Sequence, residues 1–84
     1  MINKLDLIDV FVGMKVHYQP VYYKEDDSYE NGIIKEIPKF AKDKNSIVGY
    51  NSVRVVYHCN DDWDQYANYT SALTNLQDLK LGWR

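Results

Sequence analysis

Aromatic rings beside carboxylates are the residues of this chain whose types and spacing can do chemistry. They fall in two runs. The first holds Tyr22, Tyr23 and Tyr29 among Glu25, Asp26, Asp27 and Glu30. The second is Asp61-Asp62-Trp63-Asp64, with Tyr57 shortly before it and Tyr66 just after. A ring face carries negative potential and attracts cations, and a nearby carboxylate adds charge of the same sign. Rings also have few rotatable bonds, which suits a binding surface. Tyr22, Tyr29, Tyr57, Trp63, Asp64 and Tyr66 are therefore the candidate ligand-binding residues. The plainer reading of each tyrosine is packing on a half-buried sheet face, and that of each acidic run is a solvated loop.

Other chemistries find less support. Asp61-Asp62-Trp63-Asp64 lacks the glycine and distal glutamate of a calcium loop, so it reads as a charged turn rather than a metal site. His58 and Cys59 are adjacent, so on a strand they face opposite ways and cannot work as a pair. His17 can approach Cys59 across strands, but a lone cysteine of this kind reads as an inert core thiol. There is no glycine-rich phosphate loop, nucleophile elbow or metal-spaced histidine pair. The expectation is a non-enzyme without cofactor or metal. Lys35, Lys39, Lys42 and Lys44, with Phe40 and Tyr50 nearby, offer an alternative: a single nucleic-acid strand held by charge and stacking. The net charge of -2 ranks this below protein binding and argues against a duplex-DNA binder.

Length sets the scale of any site. With 84 residues, 8 of them tyrosine, the chain is expected to form one domain. A chain of this size buries a little over ~60% of its unfolded surface, so a groove or small pocket is expected, not a cleft between lobes. One cysteine excludes an intramolecular disulfide and points to a reducing, cytoplasmic setting. Asp6 and Asp9 interrupt the early apolar residues, against a signal peptide, and no run approaches the ~20 apolar residues of a membrane span. Exposed tyrosines leave open either a monomer or a weak homodimer.

The elements that must position these residues are mainly strands. Residues 1–12 are ambiguous and are taken as an N-terminal extension. From Gly13 the period is two: Met14, Val16 and Tyr18 share a face until Pro20. Gly32-Ile33-Ile34-Lys35-Glu36-Ile37 reads as a second strand, in which either isoleucine can face inward. Ser52 to Cys59 is the clearest strand, rich in β-branched residues. Tyr66 to about Leu73 reads as a fourth strand, Thr74 to Asp78 as one short 3₁₀ turn, and Leu79, Leu81 and Trp83 as a fifth strand. The expected core is Val16, Ile34, Val53, Val55, Leu73, Leu76, Leu79 and Leu81. The fold class is mainly β. A closed barrel over about residues 13–83 would remove exposed edges from so short a chain.

This order of elements resembles a five-stranded SH3-like barrel, and more narrowly a Tudor domain. The resemblance runs from Val12 to about Leu79. It rests on Val12-Gly13-Met14-Lys15-Val16, Gly32-Ile33-Ile34-Lys35-Glu36-Ile37, Val53-Arg54-Val55-Val56-Tyr57 and Leu76-Gln77-Asp78-Leu79. It implies a non-catalytic module that recognises a protein segment, cationic or methylated, in an aromatic cage. By position Tyr57 matches the cage tyrosine that ends the third strand. Trp63 falls near the aromatic of the following turn, and Asp64 takes the place of the polar group at the cation. Tyr18, Tyr22 and Tyr29 lie near the first-loop aromatics. The first loop and the turn after the third strand are both longer than the family's. The compact, acidic, aromatic-rich profile is also similar to small accessory proteins of bacteriophages and mobile elements, some of which inhibit a host protein by covering it.

Overall fold

The structure, a computed structural model, describes residues 6–20, 29–47 and 49–84. The period-two runs become strands β1 (Lys15–Tyr18), β2 (Glu30–Glu36), β3 (Ser52–Val56), β4 (Ala72–Asn75) and β5 (Leu79–Leu81). They form one sheet in the order β4-β3-β2-β1-β5, with every neighbouring pair antiparallel. Four 3₁₀ turns punctuate the described residues: η1 (Leu7–Asp9), η2 (Lys39–Lys42), η3 (Trp63–Asn68) and η4 (Leu76–Asp78). The sheet is open, with β4 and β5 at its two edges.

Alternation sorts each strand into two faces. Val16, Ile34, Val53 and Val55 point inward and pack with Val10, Met14, Leu76 and Leu79. Fully burying an aliphatic side chain contributes about 1.5–3 kcal/mol, so this cluster dominates the fold's stability. The opposite face is covered too. Ile33 sits across from Val56 in the ladder, and both are buried while standing outside the inner cluster. η3 packs against β2. Both isoleucines are thus buried, one on each face.

Three expectations are corrected. The segment from Trp63 to Asn68 is 3₁₀, and β4 starts only at Ala72. Trp63, Tyr66 and Tyr69 recur every third residue, which is the 3₁₀ period, and they are the partly buried positions in a segment otherwise exposed. Leu73 is 37% exposed because its register sets it opposite Arg54, on the outer face. Leu81 pairs with Val16 but lies on the edge strand, where it is 60% exposed. Cys59 is buried and His58 exposed, as adjacent residues on opposite faces should be.

Two local features shape the sheet. Pairing passes from Ile34↔Val55 to Glu36↔Arg54, so Lys35 is an extra residue in β2, a bulge that bends and twists the strand. Lys35 extends its ammonium group to the Tyr69 carbonyl at 2.8 Å, past the end of η3. Gly32 is the second feature. A Cβ there would lie 2.6 Å from Val55 Cγ1 and 2.9 Å from both Tyr57 Cδ1 and the Val56 carbonyl oxygen. Its own carbonyl accepts the Trp83 indole N–H at 2.8 Å. Overpacking of this kind costs about 1–3 kcal/mol. Gly32→Ala is therefore expected to lower the melting temperature by several degrees, about 4–8 °C per kcal/mol in a domain this size. An unchanged melting curve would show that β3 is not held so close to β2.

Candidate functional site

Although β4 and β1 lie three places apart in the sheet, they line one groove. Its residues are Tyr18, Glu30, Tyr57, His58, Ala72 to Asn75, and Asp78, and its volume is about 410 Å³. The sheet therefore curls until its β4 end and the outer end of β1 approach without pairing. η4 crosses the gap: Leu76 N–H donates to the Asn51 carbonyl at 2.8 Å, and the Asp78 carbonyl accepts from Gln19 N–H at 2.9 Å.

The two tyrosines continue the inward-facing rows beyond the core. Tyr18 follows Val16 on β1, and Tyr57 follows Val55 past the end of β3. Their rings meet edge to face, with centroids 6.0 Å apart and planes at 66°. Tyr57 Oη shares a hydrogen bond of 2.9 Å with Thr74 Oγ1, which fixes the ring against β4. At the rim, His58 Nε2 lies 3.2 Å from Glu30 Oε1. Burial pushes the Tyr57 phenol up to about 12; the Thr74 hydrogen bond works the other way, and the charges of Glu30 and Asp78 add to the rise. The groove thus joins two ring faces and edges to two carboxylates whose field reaches its floor.

The other sequence-selected residues go elsewhere. Trp63 packs on Trp83 with ring centroids 4.8 Å apart and planes tilted at 58°, and Lys15 Nζ lies 4.6 Å over the Trp83 ring. Among the described residues no ring contact joins Tyr57 to Trp63. Asp64 is exposed on η3, and Tyr66 turns its hydroxyl towards Gly13. Tyr29 packs edge-on against buried His17, and the Arg84 guanidinium lies 4.9 Å over its ring. Tyr22 lies outside the described residues. Glu30, His58, Thr74 and Asp78 belong to the groove without having been selected, and Tyr18, named only through the resemblance as lying near the first-loop aromatics, belongs to it too. The available signal was the strand alternation itself, which sets Tyr18 and Tyr57 at the ends of two inward rows.

The lysines divide as well. Lys35 is held by η3, whereas Lys42 and Lys44 line a shallow groove with Tyr50, Asn51, Leu7, Ile8 and Asp6. Lys39 is exposed on η2. Among the described residues no three metal-ligating side chains gather, and no helix is long and apolar enough to cross a membrane. The chain matches no protein-family model, no curated protein and no solved structure.

The shifted phenol gives a pH test. Below about pH 10 Tyr57 is protonated whether the chain is folded or not, and stability is indifferent to it. Between 10 and 12 the unfolded chain loses this proton first, so stability falls as pH rises. In a phenolate absorbance titration, the difference between the native protein and Tyr57→Phe should titrate near 12. A difference titrating near 10 would mean that Tyr57 is solvated. Tyr69 also ionises late, chiefly through its 3.0 Å hydrogen bond to Asp62, and is common to both proteins.

Proposed function

We propose that this protein is a non-catalytic binding module, and that the groove of Tyr18 and Tyr57 takes a cationic side chain from a protein segment. The observation that carries this reading is the pair of tyrosine rings in an open groove bordered by Glu30 and Asp78. A cation entering it loses water but gains ring faces and two carboxylates. Lysine, arginine and their methylated forms share that chemistry. The fold supports the same reading: the last strand lies beside the first and a 3₁₀ turn precedes it, which is the order expected of an SH3-like, Tudor-like barrel. Of the residues first selected, Tyr57 stays at the centre of the proposal. Trp63, Asp64, Tyr66 and Tyr29 do not line the groove and take no part in the proposal.

Carboxylates at a groove rim steer a cation and hold it. Paired Glu30→Gln and Asp78→Asn changes keep the side-chain volumes and remove both charges. On an array of nonapeptides centred on lysine or arginine, they are expected to weaken binding about tenfold, near 1.4 kcal/mol, with the melting temperature close to native. Equal binding by native and doubly substituted protein would refute a cation site here.

A second reading rests on Lys42, Lys44 and the partly exposed Tyr50 ring in one shallow groove. Charge plus one stacking ring suits a single nucleic-acid strand. Lys39→Glu with Lys42→Glu should then abolish oligonucleotide binding measured at low salt. Absence of any oligonucleotide binding by the native chain removes this reading.

A further inference from the structure

β4 lines the groove along its whole length, and it is an edge strand. Its register against β3 determines which of its backbone groups are left over. One step beyond the ladder Asn51 stands opposite Leu76. Leu76 N–H donates to the Asn51 carbonyl while Asn51 N–H turns to the Ala41 carbonyl, so this position has the phase of a hydrogen-bonded pair with one of its two bonds made. Such pairs alternate along an antiparallel ladder. Thr74 opposite Val53, and Ala72 opposite Val55, are therefore also hydrogen-bonded pairs, whereas Leu73 opposite Arg54 and Asn75 opposite Ser52 are not. In the non-bonded pairs the N–H and C=O point away from β3. Leu73 thus presents both its N–H and its C=O at the free edge, and Asn75 presents its N–H. Among the described residues no backbone hydrogen bond outside the sheet ladder and the turns engages the Leu73 groups.

We infer that the partner segment binds as an added strand on the free edge of β4, pairing with Leu73 and laying one lysine or arginine side chain against the ring pair of Tyr18 and Tyr57. This rests on the binding-module reading and adds the backbone conformation and direction of approach of its ligand. The geometry favours it because the edge and the groove are the same place: the residues that offer the unpaired backbone groups are also groove-lining residues. Side chains of an added strand alternate, so every second one faces inward. An inward one at this edge meets Tyr57, which is hydrogen-bonded to Thr74 in the middle of β4. Charge chooses the occupant: Glu30 and Asp78 border the groove, which favours a cationic residue at the inward position. Lysine and arginine have aliphatic stems long enough to cross the rings before the charge reaches those acids.

The test uses the full chain, labelled for amide and aromatic NMR, with nonapeptides of alternating valine and threonine around one central lysine or arginine. A second set carries N-methyl groups on alternate backbone amides, in both phases. The expected result has three parts: a peptide that shifts the Tyr18 and Tyr57 ring signals also slows Leu73 amide exchange at least tenfold, one phase of N-methylation removes binding, and the other leaves it. Ring shifts with unchanged Leu73 exchange and equal effects of both N-methyl phases would overturn strand addition while leaving the cation groove standing. No ring shift with any peptide would overturn both. Slow Leu73 exchange in the peptide-free chain, together with a dimer in sedimentation, would assign the edge to a second copy and overturn the inference.

Discussion

Much of this structure depends on the missing side chain at Gly32. On the inner face, the empty volume lets Val55 and Tyr57 lie against β2. On the backbone, the carbonyl of the same residue receives the Trp83 indole. One position therefore sets both the floor of the groove and the docking of the C-terminal segment. That segment is further held by Gly82 N–H on the Lys15 carbonyl, His17 on the Gly82 carbonyl, and a reciprocal pair between Asn31 and Arg84. A larger residue would push β3 away on one side and disturb the anchor on the other.

The size of the chain explains why the middle of the sheet is buried on both faces. A five-stranded sheet with a single covered face would leave Ile33 and Val56 in water. Both are buried instead, with η3 packed against β2, and the bulge at Lys35 bends and twists that strand. The sheet stops short of closing by strand pairing. A 3₁₀ turn, η4, links the two ends by one hydrogen bond to each side. The groove is what remains of the gap, so its aromatic walls are the outermost rows of the core.

Much of this was legible in the residues. Period-two runs located four of the five strands to within a few positions, the fourth being the exception, and the 3₁₀ turn before the last strand was visible at Leu76 to Asp78. Tyr57 stands out in the sequence by its place at the end of a strand beside acids, and the fold sets it just past β3 against the core. The remainder needed register. Nothing local in Leu73 says that it will face Arg54, and nothing local in Tyr18 says that Tyr57 will stand beside it. Trp63 and Tyr66 carried a period of three, which competes with the strand reading that their β-favouring ring types suggest. Grouping acids with aromatics by proximity in the chain joined rings that the fold separates.

The contact between the two tryptophans has a consequence for spectroscopy. Trp63 and Trp83 are the only two tryptophans in the chain, and neither lines the groove. At 4.8 Å their transitions couple, so their emission and near-ultraviolet ellipticity follow the seating of the terminal segment on the outer face. Among the described residues Tyr18 and Tyr57 are the tyrosines that line the groove, and their ring signals follow it. The tryptophan pair thus reports on the outer side of the sheet without a contribution from the groove.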